Sequence, residues 1–254
     1  MNPTVGIVVP VFNEADRWHK GYWTAFLALP TTSWTFVNDG SSDGTGQLLE
    51  ELAVEHANVE VRNLPSNAGK AEAVRHGLLN LLSENSFEWV GFMDADGAFR
   101  SDDVEALLDT CQGLPADTAV DAVWSSRVAL SGRDIQRSMR RHYVGRVVAT
   151  GLSLGLGRIP YDTQSGLKFF RVTPALRTIF QEPFRTRWLF DVEVLIRSQR
   201  LSGQELCTLE VPLWYWHDIP GSKVRGSQAI RAAWDVVTVL RMSGGYRSSS
   251  RRGN

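Results

Sequence analysis

The sequence predicts an α/β domain built around a mostly parallel central sheet, and three observations carry that expectation. A continuous apolar run, Val5–Val11, opens the chain, and a strand apolar on both faces suits a sheet covered by helices on both sides. Short β-rich runs then alternate with stretches of helical spacing through the first half, a rhythm that calls for right-handed crossovers between parallel strands. No repeat, and no linker rich in Pro, Gly or Ser, divides the 254 residues, so one domain is the simplest reading.

In order, the first strand is Val5–Val11. Trp18, Tyr22, Phe26 and Leu29 recur at helical spacing and Pro30 closes that helix. Trp34–Asn38 is the second strand, and Leu48, Leu49, Leu52 and His56 mark the second helix. Val59–Leu64 is the third strand, followed by a helix through Ala71, Val74, Leu78 and Leu82. Glu88–Met93 is the fourth strand, a helix covers about Ser101–Gln112, and Val120–Ser125 is the fifth strand. The back half is less regular. It reads as a long helix over about Asp134–Leu154, a strand at Gly166–Val172, a helix from about Leu189 to Leu201, a strand at Leu206–Trp216 and a helix at Gln228–Met242. Residues 1–243 are expected to form the domain, in halves of about 1–126 and 127–243. The polar, basic residues 244–254 are expected to be a disordered tail.

Charge balances: 27 Lys and Arg against 28 Asp and Glu give a net −1. A globally basic nucleic-acid binder is thereby excluded, and no nucleic-acid partner is expected. The first residues carry no basic region, and Val5–Val11 is too short for a signal peptide or a membrane span. Cys111 and Cys207 are too few for a disulfide framework and have no metal-ligand spacing. They predict a reducing, cytoplasmic setting, with both thiols packed as small hydrophobes.

Ligands of such sheets bind beyond the carboxyl ends of the strands. Four strand ends carry polar groups: Asn13-Glu14, Asn38-Asp39, Asp94-Ala95-Asp96 and Ser126-Arg127. Any one of them alone is as well explained by a helix cap or a turn; four on one sheet edge favour a site. The sharpest is GFMDADGA, residues 91–98, where two aspartates at i and i+2 leave a buried strand. Carboxylates so close repel unless a cation lies near. Mg²⁺ or Mn²⁺ suits oxygen ligands, with a diphosphate completing the shell. The alternative is a pair of caps before the next helix. VNDGSSDGTG, residues 37–46, holds Gly40, Gly44 and Gly46 in a spacing also found in dinucleotide-binding turns, which place pyrophosphate on a helix N-terminus. It follows the second strand rather than the first, and no Tyr here has a Lys four residues on. Asp39 is instead placed to accept hydrogen bonds from a base or ribose.

The order VVPVFNE, VNDGSSDGT, NAGKAEAVRHG and MDADG resembles the GT-A glycosyltransferases of inverting family 2. DTQSGLKFF (162–170), RWLFDVEVLIR (187–197) and EVPLWYWHDIPGSK (210–223) are similar to the polyprenyl-phosphate sugar transferases, nearest to the dolichyl-phosphate glucosyltransferase branch and more distantly to the dolichyl-phosphate mannose synthases. The resemblance implies a Rossmann-like GT-A domain. It also implies transfer of a hexose from a nucleotide-diphosphate sugar, UDP-glucose ahead of GDP-mannose, to a polyprenyl phosphate. Pro10, Phe12 and Glu14 would line the nucleoside site and Asp39 would read the base. Lys70 and Ala95 belong to the same donor-binding motifs. Asp94 and Asp96 would flank the metal and diphosphate. Arg127 and Lys223 would neutralise phosphate charge, Asp162 is the candidate base, and Gln164 and Lys168 would line the same pocket. Trp188 and Asp191 would face the sugar or shape the acceptor cleft, Asp191 equally as a helix cap. A soluble acceptor, or nucleotide-sugar binding without catalysis, remains an alternative.

This branch usually carries a hydrophobic N-terminal anchor, and Ser165 stands where its glucosyl members usually have Cys. A substitute for the anchor lies at residues 127–158, with seven arginines, one acid and the apolar Val144, Val147, Val148, Leu152 and Leu154. A basic, partly apolar helix suits the anionic inner face of a membrane, although a solvated face over a core face explains it as well. Ile230, Trp234, Val237 and Leu240 read as core or a dimer face, and Trp214 and Trp216 as sharing one face of a strand. His56, His76, His142 and His217 carry no nucleophile motif.

Overall fold

The computed structural model describes residues 4–136, 159–217 and 234–243. Strands β1 (Val5–Val11), β2 (Thr32–Asn38), β3 (Val59–Asn63) and β4 (Trp89–Met93) alternate with helices α1 (Lys20–Leu27), α2 (Thr45–Glu55) and α3 (Lys70–Glu84). Then come α4 (Ser101–Gly113), β5 (Ala122–Ser126), β6 (Asp134–Gln136), β7 (Leu167–Arg171), α5 (Pro174–Gln181) and α6 (Phe190–Ser202). Strands β8 (Thr208–Pro212) and β9 (Tyr215–His217) follow, and residues 234–243 are helical.

Seven strands form one sheet in the order β3-β2-β1-β4-β7-β5-β8. Its neighbours pair in parallel except around β7, which runs antiparallel between β4 and β5. The alternation of side chains along a strand divides the core in two. Val5, Ile7, Val9 and Val11 of β1 face a cluster with Trp23, Phe26, Leu49, Leu52, Leu107 and Cys111. Val8 faces the other side, with Val74, Leu78, Leu81, Ile179, Phe180 and Val194. These faces explain the uninterrupted apolar run: every residue of β1 except Pro10 is buried.

The chain lays β2 and β3 to one side of β1 and then returns to place β4 on the other. The carboxyl ends of β1 and β4 therefore lead into loops that part from each other, the topological switch at which such sheets open a crevice.

Several expectations change. Trp18 lies outside α1, in extended conformation (ψ 117°), and stacks on Trp23 at 5.4 Å between ring centroids. Asp134 does not start a helix: Asp134–Gln136 pairs in parallel with Tyr215–His217. The rest of the expected helix, to Leu154, lies outside the described residues, as do the GLSLGLG run and most of the arginine cluster. The expected strand Leu206–Trp216 is two strands in two different sheets, with the chain leaving the large sheet after Pro212. Trp216 is therefore buried against Phe99, whereas Trp214 precedes β9, is 57 % exposed and stacks under Arg133. Cys111 is buried, but Cys207 is exposed at the entry to β8. In the last helix Val239 and Met242 pack inward on Leu189, Val192 and Ile196, while Trp234, Val237 and Leu240 point out, so of the two readings of this row, core or a dimer face, the core reading fails; Ile230 lies outside the described residues. Helix α5 had a legible start: Thr173 accepts from the Leu176 N–H at 3.3 Å with Pro174 in the first turn, and Leu176, Ile179 and Phe180 follow at helical spacing.

Candidate active site at the switch between β1 and β4

The chain after β1 turns sharply at Asn13, whose φ is +51°. Two loops hold the turn by exchanging polar groups. Asn13 N–H donates to Ser41 Oγ at 3.0 Å, and Ser42 N–H returns the bond to Asn13 Oδ1 at 2.9 Å. Glu14 N–H reaches Thr45 Oγ1 at 2.9 Å, and Ala15 N–H reaches Asp43 Oδ2 at 3.2 Å. The Ser, Asp and Thr side chains of VNDGSSDGT, with the Ser42 N–H, thus fasten the VFNE turn.

Asp39, at the end of β2, gathers the loop before α3. Its Oδ1 accepts from Ala68 N–H at 2.7 Å, and its Oδ2 from Gly69 N–H at 2.8 Å and the Asn67 side-chain amide at 3.0 Å. Gly40 beside it is in the left-handed region (φ +66°), and a Cβ there would lie 2.6 Å from the Ser66 carbonyl carbon. Only glycine lets these two backbones approach so closely.

Loop 67–69 delivers Lys70, the first residue of α3, to the end of β4. Lys70 Nζ lies 2.6 Å from Asp94 Oδ1. Burial works against the ammonium, but the carboxylates of Asp94, Asp191 and Asp96 outweigh it and hold its pKa above the usual value. Asp94 N–H donates to the Gly166 carbonyl at 2.9 Å, which ties β4 to the entry of β7. Asp96 accepts from Ala98 N–H at 3.1 Å. Burial, then the charge of Asp94, pushes the Asp96 carboxyl up to about 6, with Lys70 offsetting part of the effect.

Pro10, Phe12, Glu14, Asp39, Lys70, Asp94, Ala95 and Asp96 all line one cavity of about 280 Å³, together with Val11, Asn67 and Gly69. The structure therefore collects the residues of the VPVFNE, NDG, NAGK and DAD motifs at the crevice. Asn67 and Gly69 were missed as site residues although they stand in the NAGK run. A larger recess of about 450 Å³ behind Gly97–Asp102 holds a single carboxylate, Asp102, and gathers none of these motifs.

Two ion pairs lie outside the cavity lining. Lys168 of β7 is fully buried, with Nζ 2.8 Å from Asp191 Oδ1 in the first turn of α6 and over the rings of Trp124 and Phe92 at 4.8 and 5.3 Å. Burial holds the Lys168 amine below its usual value despite Asp191, and pushes the Asp191 carboxyl up despite Lys168 and Lys70. The second pair is bidentate. Arg127 Nε and Nη2 each lie 2.7 Å from an oxygen of Asp162, which also accepts from Arg127 N–H at 3.0 Å and Gln164 N–H at 3.3 Å. Glu210 of β8 accepts from Tyr161 and Asp162 N–H at 2.7 and 3.0 Å and fixes this turn. Gln164 turns its side chain to the Thr163 carbonyl.

Trp188 is 44 % exposed, and its N–H and that of Arg187 donate to Asp235 Oδ2 at 2.7 and 3.0 Å. Glu193, fully buried, accepts from Arg185 and Thr186 N–H and pairs with Arg197 at 2.8 Å, so it organises the loop leading into α6. Lys223 lies outside the described residues.

Among the described residues no group of three or more His, Cys, Asp and Glu is placed to hold a metal alone. Asp94 and Asp96 supply two hard oxygen donors to one cavity. That set fits Mg²⁺ or Mn²⁺ if phosphate oxygens and water provide the rest of the shell. Asp94 depends on a glycine for its place: a Cβ at Gly166 would lie 2.3 Å from Asp94 Oδ2. Gly166→Ala is therefore expected to push the carboxylate aside and lower kcat/KM about 100-fold, with the circular-dichroism spectrum unchanged. Steady-state kinetics at saturating metal check this.

The family model described as Glycosyl transferase family 2 matches residues 6–195. A dolichyl-phosphate beta-glucosyltransferase of Trichomonas vaginalis is 31 % identical over 242 residues, covering 91 % of this chain and 69 % of that protein. The dolichyl-phosphate beta-glucosyltransferase of Saccharomyces cerevisiae is 29 % identical, covering 97 % and 78 %. A polyprenol monophosphomannose synthase of Mycolicibacterium smegmatis is 24 % identical, covering 91 % and 84 %. Among solved structures, glucosyl-3-phosphoglycerate synthase from Mycobacterium tuberculosis with Mn²⁺, UDP and phosphoglyceric acid superposes with a TM-score of 0.61 at 19 % identity, covering 95 % of this chain and 79 % of that one. A mannosyltransferase from Pyrobaculum calidifontis with GDP-mannose and Mn²⁺ gives 0.60 at 16 %, covering 100 % and 76 %. The fold is that of the GT-A glycosyltransferases.

Proposed function

Because the chain belongs to glycosyl transferase family 2, we propose that it moves glucose from UDP-glucose to a polyprenyl phosphate, with inversion at the sugar and with a divalent cation. The observation that carries this reading is the single cavity in which Asp94, Asp96, Lys70 and Asp39 meet at the β1–β4 switch. The nucleoside lies along Pro10–Glu14 and Asp39. The diphosphate lies at Lys70, Asp94 and Asp96, where Asp94 and Asp96 would hold the cation; when bound, it offsets the charge that grows on the leaving diphosphate. Glucose over mannose, and a lipid acceptor over a soluble one, rest on the relatives that are dolichyl-phosphate glucosyltransferases.

A phosphate acceptor is already an anion near neutral pH, so its attack on the sugar carbon needs little proton abstraction. Asp162 then has a different task. Two of the hydrogen bonds it accepts come from Arg127 Nε and Nη2 and orient that guanidinium, a group suited to phosphate. Asp162→Asn is expected to slow transfer 10- to 100-fold, by about the penalty of a misplaced group, while UDP affinity stays within about twofold. Single-turnover transfer and UDP titration check this together; equal losses in both would make Asp162 a structural residue.

No helix among the described residues is long and apolar enough to cross a membrane. The outward row of Trp234, Val237 and Leu240, followed by the exposed Arg241, suits contact with an anionic bilayer that carries the acceptor. The test of the whole reading is release of UDP from UDP-glucose, and of GDP from GDP-mannose, with and without polyprenyl phosphate. UDP release that depends on the lipid phosphate and is abolished by chelation is expected. GDP release in its place would move the sugar to mannose, and release with soluble acceptors alone would reject the lipid.

A further inference from the structure

Lys70 already stands where a cation is wanted. Its Nζ is 2.6 Å from Asp94 Oδ1, and that oxygen is shielded from solvent. The opposite oxygen of Asp94 is backed by Gly166, so closely that a Cβ there would meet it at 2.3 Å. A dication approaching Asp94 therefore meets a carboxylate that is wedged from behind and neutralised from in front. Lys70 is not locked in the same way. Its side chain is 40 % exposed and lies over the rings of Phe92 and Phe190 at 5.5 and 5.8 Å. It opens α3, and its ammonium sits on a four-carbon stem. It can leave Asp94 without disturbing the helix.

We infer, on the donor-site reading above, that Lys70 is a displaceable internal counter-ion: it occupies Asp94 until a nucleoside diphosphate arrives, then moves to the phosphates and yields the carboxylate to the dication. Metal alone has to break the Lys70–Asp94 pair with no phosphate to receive the ammonium, leaving it only the carboxylates of Asp191 and Asp96. Metal with a diphosphate finds both positive charges a partner. Lys70 thereby couples the two ligands, and by linkage each raises the affinity for the other by the same factor.

Mn²⁺ binding, followed by loss of the free-ion signal in electron paramagnetic resonance, tests this with and without UDP. Wild type is expected to bind Mn²⁺ weakly alone and more tightly with UDP. Lys70→Met is expected to bind Mn²⁺ alone about tenfold more tightly than wild type, within the usual range of such couplings, and to lose most of the gain from UDP. Lys70→Arg keeps the charge and is expected to retain weak Mn²⁺ binding alone and a gain from UDP. If Lys70→Met, folded by circular dichroism, binds Mn²⁺ alone no more tightly than wild type while wild type shows the gain from UDP, the counter-ion role is wrong and the donor site stands. If wild type fails to bind Mn²⁺ even with UDP, the donor-site reading falls and this inference with it.

Discussion

Asp96→Asn is expected to lower kcat/KM by 10²- to 10³-fold, about 3–4 kcal/mol, and to abolish the metal dependence of UDP binding. The amide keeps the size of the carboxylate and can still accept from Ala98 N–H, which lies 3.1 Å from Asp96 Oδ1, so the Gly97 turn should survive. What it loses is charge. Burial and the neighbouring Asp94 already oppose ionisation of Asp96, so removing its proton-binding site relieves repulsion in the protein without ligand. Thermal stability is expected to hold or rise slightly while function collapses. Calorimetric titration of UDP with Mn²⁺ present and absent, alongside a thermal melt, reads both effects. Unchanged UDP affinity in Mn²⁺ would remove Asp96 from the metal site.

Lys168→Met is expected to destabilise the fold by about 3–5 kcal/mol, the usual cost of leaving a buried charge alone. Lys168 and Asp191 are both buried, 0 % and 4 % exposed, and the ammonium lies between the Asp191 carboxylate and the rings of Trp124 and Phe92. Methionine fills the stem's volume but abandons Asp191. The double variant Lys168→Met/Asp191→Asn removes both charges and is expected to recover at least half of the loss. Urea unfolding of the wild type, both single variants and the double variant gives the coupling directly. Additive losses would show that the two residues act independently.

The front half of the fold was legible because its constraint is local. A strand buried on both faces has to be apolar throughout, and the helices between strands have to repeat at helical spacing, so Val5–Val11 and the runs after it could be read one at a time. The cavity at the β1–β4 switch was legible for a related reason. Most residues expected to contact the nucleotide or metal stand at or just beyond the end of a strand, and parallel strands bring those ends to one edge. Asp39, Lys70 and the Asp94–Asp96 pair are far apart in sequence and share one cavity.

The back half depends on partners far away in the chain. Asp134–Gln136 is a strand only because Tyr215–His217 lies beside it, and three residues carry no period of their own. The burial of Trp216 and the exposure of Trp214 follow from where the chain leaves the large sheet, which alternation alone does not reveal. The partners of Asp162 and Asp191 were likewise hidden. DTQ and FDVE mark both acids as unusual, but nothing in those runs says that Arg127 and Lys168 neutralise them.

The most direct measurement is the anomalous-scattering position of Mn²⁺ in a crystal grown with UDP. Manganese bound to Asp94 and Asp96, with the diphosphate beside it and the uridine along Pro10–Glu14, is the expected result. Manganese and UDP bound elsewhere, with side chains closing the crevice between β1 and β4, would contradict it.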